Sequence, residues 1–320
     1  MRDMKVVVFG GSGFIGSHLV AHLAEQGAHV IVPTRRYESA KHLIFLPRVE
    51  VVEADVNSDA AVRRLVAGRD AAVNLVGLLH SRRGKPYGAD FKRAHVELPR
   101  RVVAACAAEG VPRFLHMSAL GAATDGESMY QRSKADGEMA ARSEPTVAAT
   151  IFRPSVVFGP GDKFLTVFAG VQRWMPLVPL PRSDADFQPV YVGDVARAFA
   201  HALTDLKTRH QVYELGGPTI YALADLMRLA GRIAGRQRPV VDVPAALAYP
   251  LAGLLELLPG NPWMSRDNLD SMKVDNVVDP TIQAVTAQAL GVKLTALEAV
   301  APHYLVGRER YDDYRSRAGR

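Results

Sequence analysis

Short apolar runs alternate along the chain with segments whose apolar residues recur every three or four positions, and the alternation begins almost at once. Lys5-Phe9 reads as a buried strand. Phe14-Gln26 follows as a helix with Ile15, Leu19 and Leu23 on one face, and His29-Val32 is the next strand. The pattern continues with Val49-Ala54, a helix near Ala60-Ala67, Ala71-Val76, a helix near Asp90-Glu109, Arg113-Met117, a helix near Met129-Arg142 and Val147-Phe152. That order predicts an α/β fold with a doubly wound, parallel Rossmann sheet. Beyond Arg153 the texture changes, because Pro154, Pro160, Pro176, Pro179, Pro181 and Pro189 divide the chain into shorter pieces and the regular alternation is lost. A helix is expected after Asp194, a strand near Gln211-Leu215 and a helix from about Ala222 to Ala234. The expected organisation is a Rossmann domain over 1–153 and a smaller lobe over 154–320, some of whose segments return to the sheet. The lobe is expected over the carboxyl ends of the strands, where open α/β sheets bind ligands.

With 320 residues, 48% hydrophobic and 22% charged, the chain is long enough for a full core and carries no bias toward disorder or repeats. The formal charge of +6 arises from 39 Lys and Arg against 33 acids, with clusters at Arg35-Arg36, Arg82-Arg83, Arg100-Arg101 and Arg308 to Arg320. It favours anionic ligands or an anionic membrane surface, or is simply a solvated face, and no nucleic-acid motif accompanies it. A single cysteine, Cys106, excludes disulfides within the chain and Cys-based zinc sites, and His80, His116, His201 and His303 lack metal-ligand spacing. No metal is expected. Met1 to Phe9 reaches a strand too soon for a signal peptide to be expected. The most apolar later stretch, Val243-Leu258, is interrupted by Pro244, Pro250 and Glu256 and followed by Pro259, which argues against a spanning helix. The expected location is cytoplasmic, with at most peripheral contact on the inner face of the cytoplasmic membrane.

The first strand runs into Gly10-Gly-Ser-Gly13-Phe-Ile-Gly16, three glycines in a GxxGxxG spacing at a strand-to-helix turn. They serve a tight turn, close approach to a pyrophosphate, and packing of the helix on the strand. The helix N-terminus attracts phosphate through free N–H groups and its dipole. Gly10, Ser12, Gly13, Phe14, Ile15 and Gly16 are therefore expected against a dinucleotide. At the end of the second strand, where an NAD site usually carries Asp or Glu, the chain has Pro33-Thr34-Arg35-Arg36 and no acid before Glu38. Arg35 and Arg36 suit a 2′-phosphate, so NADP(H) is expected over NAD(H); the other reading is a pair of solvated loop charges beside a permissive site. Asp55-Val56 is expected beside the adenine, and Asn74-Leu75-Val76-Gly77 beside the cofactor at the end of the fourth strand.

Tyr130-Gln-Arg-Ser-Lys134 opens the helix after the fifth strand, and the four-residue separation places Tyr130 and Lys134 on one face. The phenol becomes an acid or base for a carbonyl and alcohol pair if a neighbouring ammonium lowers its pKa, and Lys134 is positioned to hold the nicotinamide ribose. A bare surface pair is the alternative.

The glycine loop, Asp55-Val56, Tyr130-x-x-x-Lys134 and Arg153-Pro-Ser-Val-Val-Phe-Gly-Pro-Gly-Asp162 together resemble the extended or atypical short-chain dehydrogenase/reductase superfamily, the NAD-dependent epimerase/dehydratase type. His116-Met-Ser-Ala-Leu-Gly121, Pro189-Val-Tyr-Val-Gly-Asp-Val195, Tyr213-Glu-Leu-Gly-Gly-Pro218, Arg266 to Asn276 and Leu290 to Pro302 narrow the likeness to bacterial relatives of the 39-kDa accessory subunit of respiratory complex I. The resemblance implies bound NADP(H) and adds His95, Pro154 and Val157 to the cofactor contacts. It also implies a Ser or Thr at the end of the fifth strand beside the tyrosine; here Ser118 falls one place early and Ala119 stands at the position. His95-Val96 occupies the place of the family's usual Asn on the helix after the fourth strand.

Three functions follow from these readings. The first is an NADPH-dependent oxidoreductase or epimerase/dehydratase-like enzyme linked to the quinone respiratory chain, acting on a small molecule through Tyr130, Lys134 and Ser118. The second is a non-catalytic NADPH-binding accessory or assembly subunit with respiratory complex subunits as partners. The third is an NmrA-like redox-sensing regulator. Phe164, Phe168, Trp174 and Phe187 line a pocket for a hydrophobic ligand or belong to the core of the lobe. Val243-Leu258 is either an amphipathic surface for a membrane or partner, or a helical hairpin packing the lobe.

Overall fold

The structure, a computed structural model, describes residues 1–257, 264–279 and 286–306. Leu258, Pro259 and the Arg308 to Arg320 tail lie outside them. The chain divides into two compact units, the first comprising Met1–Pro154, Gly193–Leu215 and Asp279–Lys293, the second Ser155–Val192, Gly216–Val278 and Leu294–Arg320.

In the first unit β1 (Lys5–Phe9), α1 (Phe14–Glu25), β2 (His29–Thr34), β3 (Val49–Glu53), α2 (Asp59–Val66) and β4 (Ala71–Asn74) follow the expected alternation. They are succeeded by α3 (Ala89–Phe91), α4 (Leu98–Glu109), β5 (Arg113–Met117), α5 (Met129–Ala141) and β6 (Ala148–Pro154). Local chemistry sets several boundaries. Ser58 caps α2 by accepting from the Ala61 N–H, and Ser128 and Gln131 form a capping box on α5. The helix expected near Asp90-Glu109 comes in three pieces, because a π-helical turn over Lys92–Glu97 separates α3 from α4.

The seven-stranded sheet has the order Val212–Leu215, β6, β5, β4, β1, β2, β3, and its strand pairs are parallel. Val6 pairs with Val30 of β2 on one side and Ala71 of β4 on the other, so the winding reverses at β1. In such sheets that reversal opens the ligand crevice at the carboxyl ends. Val6, Val7, Val8 and Phe9 are all fully buried, as a strand covered on both faces requires. One face packs Val7, Phe9 and Ile31 against Val62, Leu65, Leu98 and Val102.

Helical alternation does not end at Arg153. The helix Val192–Thr204 is a crossover, and Val212–Leu215 adds to β6 with Val212 opposite Ile151. Buried Arg113 ties this addition down: its guanidinium donates to Ala148 O (2.7 Å), Ala202 O (2.8 Å) and Thr208 Oγ1 (2.8 Å).

The second unit is built from two-stranded pairs, Val157–Phe158 with Val190–Tyr191, Asp186–Phe187 with Tyr221–Ala222, and Val178–Pro181 with Val240–Val243. Short, proline-bounded pieces leave no strand long enough for a larger sheet. Its core joins Leu165, Phe187, Leu226, Met227 and Leu297, with Phe164 and Phe168 packed against it. Phe164 meets Phe168 and Phe187 at ring distances of 4.5 and 6.0 Å. These three phenylalanines are core, whereas Trp174 is 82% exposed, so the four do not form the hydrophobic pocket considered from sequence.

Candidate functional site

At the end of β1 the backbone of Gly10 turns into the left-handed region (φ +79°), and α1 begins after Gly13 with no side-chain cap. The Gly13 N–H returns to Gly10 O (3.0 Å) and the Ser17 N–H bonds Gly13 O (2.8 Å), which closes the turn. The first-turn N–H groups of Phe14, Ile15 and Gly16 have no acceptor within the helix. A Cβ on Gly16 would lie 2.6 Å from Gly11 Cα, and one on Gly10 would lie 3.0 Å from Val76 N. Gly11, which the motif spacing skips, is equally confined, because its Cβ would meet Val32 at 2.9 Å. Ser12, Phe14 and Ile15 are half-buried along the turn and Gly13 is exposed. The confined glycines seat the start of α1 against the neighbouring strands, and the first-turn N–H groups left without helical acceptors are suited to a pyrophosphate.

Buried Thr34 closes β2 and bonds the backbone of Arg36, donating from Oγ1 to Arg36 O (3.0 Å). Arg35 and Arg36 are exposed, and their guanidinium groups make no ion pair among the described residues. A 3₁₀ helix over Tyr37–Leu43 then seats Ala40 and Leu43 in the core. Asp55 is exposed, and its carboxylate accepts from the Asn57 N–H (2.9 Å) and Nδ2 (2.8 Å), which hold it below the usual carboxylate range. Half-buried Val56 accepts at its carbonyl from Arg101 (3.4 Å).

The chain after β4 meets the π turn. Leu75 N–H bonds Phe9 O (2.9 Å) and Val76 N–H bonds Asn74 Oδ1 (3.2 Å), fixing the exit beside the glycine loop. The Leu78 N–H donates to His95 Nε2 (2.9 Å), so the ring proton sits on Nδ1, which donates to Ser133 Oγ (2.8 Å). Ser133 passes its own hydrogen to Tyr130 O (2.8 Å). Burial, then the Lys134 charge, then His116 hold His95 neutral, down to about 2. π turns recur where a side chain must be re-aimed at a site, and here the turn puts a neutral imidazole against α5.

Tyr130 stands edge-on to Phe91 (6.0 Å) and His95 (5.6 Å), with Lys134 Nζ 5.7 Å from its ring centre. The shared face expected from their spacing is present. Lys134 is 4% exposed; its Nζ donates to Met117 O (3.2 Å) and lies near Gly77, whose added Cβ would sit 3.3 Å away. Burial depresses Lys134 to about 8 against an opposing pull from Glu138, and burial pushes Tyr130 up to about 12. The lowering of Tyr130 by an ammonium, considered from sequence, is thus corrected: desolvation of the phenolate wins, and Tyr130 is a protonated phenol at neutral pH.

A model of the NAD dependent epimerase/dehydratase family matches residues 6–216. The chain belongs to this family. It is 31% identical to the Neurospora crassa NADH-ubiquinone oxidoreductase 40 kDa subunit, over 97% of this chain and 80% of that protein. It is 29% identical to the Caulobacter vibrioides ceramide reductase, over 75% of this chain and 73% of that one. The structure of DesIV, a dTDP-glucose 4,6-dehydratase from Streptomyces venezuelae with NAD and TYD bound, shares the fold at a TM-score of 0.76 and 20% identity, covering 98% of each chain. As an epimerase/dehydratase-family chain it is a member of an NAD(P)-dependent group, and the glycine cradle and Lys134 beside Gly77 suit such a dinucleotide.

Against the family pattern, Ser118 leaves β5 with its N–H on Phe152 O (2.6 Å), while its buried Oγ has no hydrogen-bond partner among the described residues. Ala119 is buried beside it. Pro154 closes β6 in the first unit, and Val157 lies in the short strand Val157–Phe158 of the second. Ser133 and Glu138 escaped the sequence reading, and Asn74, expected beside the cofactor, has a contact that was not foreseen. Ser133 orients His95, and its place next to Lys134 was the available signal. Asn74 donates from Nδ2 to His116 Nδ1 (3.2 Å), because its Oδ1 is taken by Val76, which leaves the buried His116 Nε2–H without a partner among the described residues. Glu138, one turn beyond Lys134, is clamped by Arg153 through two bonds of 2.7 Å.

Proposed function

We propose that the chain is an NADP(H)-preferring oxidoreductase of the epimerase/dehydratase family, working beside the quinone-linked respiratory chain. The observation that carries the reading is Tyr130 and Lys134 on one face of α5, beneath the Gly77 loop and braced by His95 and Ser133. Bound NADPH supplies a hydride. A phenol held near 12 is suited to give a proton to the oxygen of a carbonyl being reduced. Lys134, held near 8, is an ammonium over much of the neutral range and is placed to grip ribose hydroxyls and steady the phenol. Arg35 and Arg36, exposed and without ion-pair partners among the described residues, favour the 2′-phosphate of NADP(H), and no acid at the end of β2 repels it. The substrate is a small hydrophobic molecule with a carbonyl or hydroxyl group, in keeping with the name of the ceramide reductase relative. The protein sits in the cytoplasm, peripherally on the inner face of the cytoplasmic membrane.

A second reading, an NADPH-binding accessory or assembly subunit without turnover, is favoured by the displaced Ser118 and by the respiratory subunit among the relatives. One experiment separates them: tagged protein is recovered from gently solubilised native membranes, its partners identified, its nucleotide extracted, and its NADPH oxidation measured with lipophilic carbonyls and quinones for the native chain and Tyr130→Phe. Turnover lost in Tyr130→Phe supports the oxidoreductase. Retained NADPH with complex I subunits and no turnover supports the accessory subunit, and turnover unchanged by Tyr130→Phe would sink the proposed role of the phenol.

A further inference from the structure

The helix Ala245–Leu255 of the second unit buries one side and leaves the other to solvent. Ala248 and Ala252 pack on Leu269 of the helix Arg266–Ser271, flanked by Val243, Tyr249, Met264 and Met272. The opposite side presents Leu247 (65% exposed), Leu251 (49%) and Leu254 (63%), and Leu257 (80%) follows just past the end. Steps of four, three and three residues keep these leucines on one stripe. The surrounding polar groups are engaged inward: Tyr249 OH donates to Asp270 (2.7 Å), and Arg266 holds Glu256 through bonds of 3.0 and 2.7 Å.

Single exposed leucines are ordinary, but four on one stripe form an interaction surface. Two observations choose its occupant. The exposed leucine surface amounts to roughly 450 Å², a typical functional patch but short of the roughly 800 Å² per partner that a stable protein interface buries. Between Asp242 and Glu256 there is also no charged residue, so the helix has nothing with which to set register or orientation against a protein. A hydrocarbon boundary demands neither, and the net charge of +6 draws the chain toward an anionic leaflet.

We propose that the Leu247, Leu251, Leu254 and Leu257 face lies in the interfacial layer of an anionic phospholipid membrane, with its helix along the surface. No helix among the described residues is long and apolar enough to cross a membrane, so insertion is shallow, to a depth of about 5–10 Å. The inference deepens the peripheral location proposed for the chain, but the binding itself requires no respiratory subunit.

The full-length protein is sedimented with phosphatidylcholine vesicles, with and without phosphatidylglycerol. Binding is expected on both and stronger on the anionic ones. Leu251→Ser and Leu254→Ser should each lower the partition coefficient roughly tenfold, the double variant should stay in the supernatant, and Leu206→Ser, an exposed leucine of the first unit, should bind as the native chain does. Leu254→Trp should add blue-shifted emission when vesicles are mixed in. A native chain that ignores both vesicles overturns the proposal, as does a double variant that sediments unchanged. So does a self-associated species that the leucine substitutions dissolve, because the occupant is then a second copy. Vesicle binding without recovered respiratory subunits supports the lipid surface and counts against the respiratory setting.

Discussion

Replacing Gly16 with alanine tests the dinucleotide cradle at its tightest point. The new Cβ would stand 2.6 Å from Gly11 Cα and 2.8 Å from Gly11 C, and closer still to Gly10 O. Carbon atoms in contact prefer about 3.5–4.0 Å, so the first turn of α1 must move away from the loop by roughly 1 Å. The neighbours are backbone, which has no rotamer to swing aside, and α1 carries Leu19, Val20 and Leu23 fully buried beyond that turn. Overpacking of this kind costs about 1–3 kcal/mol, and in a unit of this size each kcal/mol lowers Tm by about 2–4 °C. Expected are a Tm lowered by roughly 2–12 °C and an NADPH affinity weakened at least tenfold, because the N–H groups proposed to hold the pyrophosphate move with the turn. Gly13→Ala, with its nearest atom at 3.3 Å, should fall between Gly16→Ala and the native chain. Gly170→Ala is the control: it is helical, meets nothing within 4 Å, and should gain up to about 1 kcal/mol. Thermal melts and fluorescence titration with NADPH give both readouts. A Gly16→Ala protein that melts and binds as the native chain does would refute the pinch between α1 and the loop.

Other perturbations probe the buried polar groups. Ser118→Ala should stabilise by about 1 kcal/mol in urea melts, because it removes a buried hydroxyl that has no partner among the described residues; a clear destabilisation would show that the hydroxyl is engaged. Arg113→Ala should cost about 3 kcal/mol, since it removes the buried guanidinium that donates to Ala148 O, Ala202 O and Thr208 Oγ1 at the end of the Val192–Thr204 helix, whereas an equally stable variant would deny the anchor. Lys134 is lowered from 10.5 to about 8 by folding, so the unfolded chain binds the extra proton between those values and its contribution to stability improves as pH rises through that window. Stability of the native chain relative to Lys134→Met should therefore increase from about pH 8 to pH 10, and a flat difference would contradict the burial of the ammonium.

The parts of the molecule legible in the sequence are those written in local periodicity. The Lys5-Phe9 strand, the glycine turn and the α1 face need only neighbours in the chain to declare themselves, and a doubly wound parallel sheet follows once strands alternate with helices, although its strand order does not. Tyr130 and Lys134 were visible for the same reason, since a spacing of four defines a helical face. Their chemistry was not, because it depends on desolvation. Whether an ammonium four residues away lowers a phenol is decided by where its Nζ points, and Lys134 points to Met117 O, a partner 17 residues distant. The π turn was equally hidden. One extra residue in a helical turn leaves the apolar pattern of 90–109 almost intact, yet it brings His95 onto both the Leu78 N–H and Ser133. The return of Val212–Leu215 to the sheet was expected from its apolar run near Gln211-Leu215, but its partner strand β6 was not written in local periodicity. The exposed leucines of Ala245–Leu255 show the converse: an apolar run with weak periodicity is compatible with a core hairpin or a surface, and only the packing of Ala248 and Ala252 inward reveals which leucines are left for a partner outside the fold.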